Sequence, residues 1–216
     1  QLLQLARRRG DDHVYLHAQE AARDFYTRAG FTARGEPFDE AGIRHIDMVL
    51  DLDYRDWQEA IVGLRYPSPF DQLVIAQARS ALRELCLLSP KLDPRLFDRE
   101  EFLGALRSLA RSERHARVRI LVADAREIVS RGHGLLTLAR RLPTKIHMTR
   151  LSDHPDWKGD TQLIRDRDGL LALPGGELDP GVYRPDDRAR SEQALGRFEE
   201  LWRAGSVDAE FRALTL

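Results

Sequence analysis

The chain has 216 residues, 42% hydrophobic and 32% charged, enough to bury one sizeable α/β core and a second, smaller one. Lys and Arg total 34 against 35 Asp and Glu, a net charge of −1, so no overall field draws the protein to nucleic acid or an anionic membrane. The single cysteine, Cys86, lies in an apolar stretch, which excludes an internal disulfide or cysteine metal cluster and points to a reduced, cytoplasmic setting; no apolar run matches a membrane span.

Gln1 opens directly on a helical apolar stripe with no capping residue before it, so the chain reads as part of a longer protein. Residues 1–9 read as the end of a helix that finishes at Gly10. The alternation of Val14, Leu16 and Ala18 predicts a strand over His13–Gln19. Ala18, Ala21, Ala22, Phe25 and Ala29 then form a helical stripe, closed by Gly30. Two extended pieces follow, Phe31–Phe38 and Ile43–Asp51, with a turn at residues 39–42 between them.

After Leu52 the pattern changes. Tyr54, Trp57, Ile61 and Leu64 predict a short linker helix within 53–67, and Pro67-Ser68-Pro69 breaks the chain. From there the reading alternates: a helix over Phe70–Ala81, a strand Glu84–Leu88, and a helix opened by an Asp98/Glu101 capping box with Phe102, Leu106 and Leu109 inward. The β-branched run Val118–Val122, a helix His133–Leu142, a strand Lys145–Leu151, one or two strands in 162–173 and a helix Asp187–Ala204 complete it. Helices and strands alternating over short links predict a layered α/β domain over 68–216 with a mixed or mostly parallel sheet.

Ala18-Gln19, Ala22, Phe25-Tyr26 and Gly30-Phe31, followed by Glu40, Gly42-Ile43, His45 and Met48, carry a resemblance to the GNAT N-acetyltransferases, and within them to the ElaA-like group. The resemblance covers about a quarter of the chain and makes residues 1–52 the C-terminal half of a GNAT fold, without the pyrophosphate-binding loop. It implies acetyl-CoA as acyl donor, with Ala18, Gln19 and Phe25 at the cofactor and His13–Gln19 as the strand that parts to admit the pantetheine arm. It also implies Tyr26 as the general acid for the departing sulfur, since a phenol donates a proton while neutral at pH 7. His17, Glu40 and His45 are candidates for lining the pocket of an unidentified amine acceptor.

The second unit, through Val118–Asp124, His133, Arg140–Pro143, Leu163–Asp166 and Phe198–Trp202, resembles one half of a phospholipase D-like fold. That chemistry needs His-x-Lys-x4-Asp. Counting back from Asp166 or Asp168 places Gly159 or Thr161 at the histidine position, and Thr161 or Leu163 at the lysine position. The domain is therefore expected to be non-catalytic, serving substrate or partner recognition. His147, Asp153 and His154 do not have the spacing of a metal site, so no metal is expected. Neither a membrane nor a nucleic-acid partner is indicated, and a homodimer is compatible with the pattern. The rival reading is a non-enzymatic binding or assembly module with the GNAT part as a scaffold.

Overall fold

The computed structural model describes residues 1–175 and 180–212. In chain order it contains α1 (Leu2–Arg8), β1 (His13–Gln19), α2 (Arg23–Arg28), β2 (Thr32–Glu40), β3 (Ile43–Asp51), β4 (Ile61–Leu64), α3 (Phe70–Arg79) and β5 (Glu84–Leu88). There follow α4 (Pro94–Phe97), α5 (Glu100–Ser112), β6 (Arg117–Val122), α6 (Arg126–Ser130), α7 (Gly134–Arg141) and β7 (Ile146–Arg150). The last elements are β8 (Thr161–Arg165), β9 (Gly169–Leu173), β10 (Gly181–Arg184), α8 (Arg188–Ala204) and α9 (Ala209–Arg212). The α/β class expected from the alternation is what the chain adopts.

The first unit is a three-stranded antiparallel sheet in the order β1-β3-β2, register His17↔Asp47 and Gln19↔His45 on one side and Phe38↔His45 on the other. Because strand side chains alternate, Leu16 and Ala18 of β1 and Ile46 and Met48 of β3 face one way, where Phe31, Tyr26 and Leu3 of α1 cover them. The opposite face, with Tyr15, His17, His45 and Asp47, has no helix over it among the described residues.

The second unit is a seven-stranded mixed sheet in the order β4-β10-β9-β8-β5-β6-β7, parallel only across β5, β6 and β7. Alternation sorts its side chains into two cores. Leu85, Leu87, Val118, Ile120 and Val122 pack under α3, α5 and α7, while Cys86, Leu88, Leu121 and Ile164 pack under α8 through Ala194, Phe198 and Leu201.

Three expectations change. The linker helix in 53–67 does not form: Ile61 and Leu64 are buried in β4, paired antiparallel to β10 at the sheet edge, because four residues between turns suffice for a strand and not for a helix. The Asp98/Glu101 capping box is not made. Asp98 Oδ1 instead accepts a hydrogen bond of 2.7 Å from the N–H of Gly134, and α5 begins at Glu100 without a side-chain cap. The helix read from Ala18 to Ala29 is shorter, a single 3-10 turn and then α2, because Ala18 belongs to the strand. The end of the second unit, 213–216, lies outside the described residues.

The segment 53–57 joins the two units. Tyr54, fully buried, donates its hydroxyl proton to the carbonyl of Asp11 and its N–H to Gln72 Oε1 at 3.1 Å. Arg7 stacks over Trp57, whose carbonyl accepts from the Tyr183 hydroxyl at 3.1 Å. At Gly10, φ is +70° and a Cβ would lie 3.4 Å from Ile61 and Leu64, so glycine lets the turn press against β4. Removing the Tyr54 hydroxyl strands a buried carbonyl. Tyr54→Phe is expected to lower stability by about 1 kcal/mol and the melting temperature by about 2–4 °C, read by thermal unfolding.

Candidate functional site

The first unit brings two groups of side chains to β1 from opposite faces. Under α2, the ring of Tyr26 sits edge-on to Phe31 at 5.7 Å and to Phe25 at 5.2 Å, half-buried against the small core of Ala18, Ile46 and Met48. Ala18 is buried here, whereas Phe25 is 63% exposed on the outer side of α2. No hydrogen bond to the Tyr26 hydroxyl is present among the described residues. The outer edge of β1 is likewise unpaired among the described residues, since its one ladder is with β3.

On the helix-free face, His17 Nδ1 lies 2.7 Å from Asp47 Oδ1. Its ring is edge-on to Tyr15 at 5.1 Å and to Phe38 at 5.5 Å, and Phe38 stacks on His45 at 6.0 Å. His45 Nδ1 is 2.9 Å from the carbonyl of Ile43. The Asp47 carboxyl is held below the usual carboxylate range, first by the Tyr15 hydroxyl and then, against some desolvation, by His17. Tyr15 is pushed up by the same bond.

Of the residues singled out from sequence, His17, Gln19 and His45 therefore share one face, and Ala18 and Tyr26 the other. Glu40 is exposed at the end of β2, paired in register with Ile43. Asp47 and Tyr15 went unmarked. Their signal was the period-2 spacing of Tyr15 and His17 on one strand, but the pairing with Asp47 depends on the β1–β3 register, which sequence alone did not fix.

In the second unit the polar centre is Arg119. This residue of β6 points into the α8 core, its guanidinium 2.9 Å from Glu84 and 2.5 Å from Glu199, and lies over the rings of Phe198 and Trp202 at 5.1 and 5.6 Å. Burial works against its charge, and the Glu199 hydrogen bond, with Cys86 and Glu84 beside it, outweighs that, so its pKa ends above the ordinary value. Cys86 below it is pushed up to about 12 by burial.

Three arginines of this unit are engaged by groups of the protein itself. Arg140 donates to the carbonyls of Glu210 and Phe211, Arg150 pairs with Asp208, and Arg165 reaches Asp168, Ser80 and the carbonyl of Pro185. His133 caps α7 as a neutral ring: Nδ1 accepts from the N–H of Leu135 at 3.1 Å, Nε2 lies 3.2 Å from the carbonyl of Leu92, and burial lowers its pKa against the pull of Asp98.

The positions aligned with His-x-Lys-x4-Asp are structural too. Thr161 Oγ1 lies 3.4 Å from Ser89 Oγ, Leu163 is in the core, and Asp166 accepts from the N–H groups of Leu82, Arg83 and Glu84 at 2.8–3.0 Å. Among the described residues no three His, Cys, Asp or Glu side chains are placed to hold a metal, and no helix is long and apolar enough to cross a membrane.

Together the folds define a layered, mixed-sheet α/β protein with a short antiparallel unit in front. Residues 66–214 match the family described as a domain of unknown function, DUF7931, and the chain belongs to that family. Residues 1–52 match the acetyltransferase (GNAT) domain. No curated protein matches the chain.

Among solved structures, the archaeal chromatin protein TrmBL2, which shows a novel mode of DNA binding, is similar at 13% identity and a TM-score of 0.50 over 69% of this chain and 54% of that one. The chain thus spans about half the length of TrmBL2, and the likeness is one of fold. Nuc from Salmonella typhimurium, a phospholipase D family member, is similar at 15% identity and TM-score 0.47, covering 68% of this chain and 95% of that one. NucT from Helicobacter pylori follows at 13% and 0.47, covering 69% and 98%.

Arg119→Ala is expected to remove the cation that joins Glu84 to Glu199, leaving Glu84 paired with Arg117 alone, and to cost about 1.5–3 kcal/mol, seen as an earlier denaturant midpoint. In the native protein Cys86 should resist a thiol reagent at pH 8 and react fully once the chain is unfolded, as a colorimetric thiol count will show.

Proposed function

We propose that this chain supplies the C-terminal part of an acetyl-CoA-dependent N-acetyltransferase, with the seven-stranded unit as a non-catalytic module for substrate or partner recognition. The observation that carries the reading is the GNAT match over residues 1–52 together with a Tyr26 hydroxyl that bonds to no protein group among the described residues.

When bound, acetyl-CoA supplies an activated acyl carbon. Tyr26 is placed to give a proton to the leaving sulfur, which a phenol does while uncharged at pH 7. Ala18, buried beneath Tyr26 and Phe31, lets α2 pack close to the strand. Gln19 lies at the end of β1 and Phe25 on the outer side of α2. His17, His45 and Glu40 are offered to the amine acceptor from the sheet.

A second reading keeps the first unit as a scaffold only. It is favoured by Tyr54 and Gly10, which lock that unit against the seven-stranded sheet as an assembly surface would.

Calorimetric titration of acetyl-CoA into the protein that carries the complete acetyltransferase fold, beside this chain, separates the two. Micromolar binding by the complete protein, with Tyr26→Phe binding unchanged and turnover on a panel of amines reduced about 10²-fold, supports the transferase. No binding to the complete protein leaves the scaffold reading.

A further inference from the structure

The outer surface of the seven-stranded unit carries a notch of about 250 Å³ between α5 and α7. Leu103, Leu138 and Leu142 form its floor, and Arg107, Arg111 and Arg141 stand around it. Helical spacing builds the two banks. Leu103, Arg107 and Arg111 follow one another four residues apart on α5, and Thr137 and Arg141 are four apart on the facing side of α7. At Gly134 a Cβ would lie 2.6 Å from Leu103, so the glycine lets the start of α7 press against α5 and close one end.

Charge at this place runs against the balance of the molecule. The chain carries a net charge of −1, yet no carboxylate lines the notch. Asp98, beside Gly134, is spent on the N–H of that glycine. Arg107 pairs with Glu100 two turns earlier on α5, whereas Arg111 and Arg141, both exposed, make no ion pair or side-chain hydrogen bond among the described residues. Elsewhere in the unit arginines are held, Arg99 by Asp71 and Arg197 by Asp160. An unpaired arginine on a helix is ordinarily just solvated; a leucine-floored hollow between two of them is the make-up of a binding site.

The shape selects the occupant. Leu103 to Arg111 is about 12 Å of helix, and the cations stand on both banks, so an amphiphile with one head group meets only part of them. A nucleic-acid backbone answers the cations and leaves the floor empty, and a flat membrane surface does not enter a hollow between helices. A peptide with carboxylates on both sides of one leucine-sized side chain meets both banks and the floor together.

We infer that this notch is the contact through which the seven-stranded unit recognises a partner protein, by a short acidic segment of that partner with one large apolar side chain at its centre. The inference names the partner class for the recognition module proposed above; it rests on that part of the reading and not on the chemistry of the first unit.

The test uses the protein that carries the complete acetyltransferase fold and short fluorescein-labelled peptides, amidated at the C-terminus, with a central leucine flanked on both sides by aspartate and glutamate. Fluorescence anisotropy at low salt is expected to give a Kd of about 100 µM. Exchanging the central leucine for alanine, or the flanking acids for their amides, is expected to weaken binding about 10-fold. In the protein, Arg111→Gln combined with Arg141→Gln is expected to lose about 10-fold, and Thr137→Glu, which sets a negative charge on the bank, a similar amount. All three side chains are exposed, so thermal melts should stay at the wild-type value. Methyl spectra should shift at Leu103, Leu138 and Leu142 as the peptide is added.

No binding of the leucine peptide up to about 1 mM overturns the inference. Equal binding by the alanine peptide overturns it too, as does binding that survives the arginine changes or leaves the three leucine methyls unmoved. Duplex DNA or anionic vesicles that bind through the same arginines where the peptide does not give the patch to that ligand and overturn the inference as well. Acetyl-CoA titration remains the separate measure of the transferase: peptide failure with acetyl-CoA binding intact removes this contact alone, and the reverse removes the transferase and leaves the contact.

Discussion

A seven-stranded sheet has two faces to keep from water, and in this chain one of them is closed chiefly by a single helix. The other face has α3, α5 and α7 to share the work. On the α8 side, Ala194, Phe198 and Leu201 must cover Cys86, Leu88, Leu121 and Ile164, and they leave one place where β6 points a guanidinium into the core. A buried cation is tolerable only with opposite charge at hand. Glu84 comes from the neighbouring strand and Glu199 from the helix, so Arg119 ties α8 to the adjacent parallel strands β5 and β6. The aromatic pair Phe198 and Trp202 stacks over it, making the helix register, the strand register and the charge balance one connected arrangement.

Much of this was legible in the order of residues. The period of Leu85, Leu87, Val118, Ile120 and Val122 gave the strands, and the stripe of Phe102, Leu106 and Leu109 gave α5, because burial on one face leaves a regular mark. Arg119 left no such mark. Within Val118–Val122 it reads as a solvated interruption, and only the return of α8 some eighty residues later supplies Glu199 and the rings that make it a core residue. β4 was missed for a related reason: its pairing partner, β10, lies more than a hundred residues downstream, and a four-residue strand carries too few positions to show a period.

The candidate site divides along the same line. Tyr26 is singled out through the resemblance to the GNAT acetyltransferases, whose motif lies within one strand–helix unit. The partnership of His17 with Asp47 needed the register of two strands separated by α2 and β2, and register is set by the whole hydrophobic pattern and not by any one pair. Sequence therefore marked His17 as chemistry without a partner. The fold supplies the carboxylate, the direction of the ring and the placement of Tyr26 and His17 on opposite sides of one strand.

The position of β4 bears on where this chain can be divided. The family match begins at residue 66, yet the sheet it describes is sealed along β10 by residues 61–64, which sit in what looks like a spacer. A gene cut at the apparent seam would give a module with a raw hydrogen-bonding margin and an apolar pair, Ile61 and Leu64, stranded on the wrong fragment. The spacer is thus owned by the larger unit while it is held by the smaller. Dividing the chain at residue 66 therefore takes the outer strand from the larger sheet and uncovers the apolar pair that β4 contributes to its core.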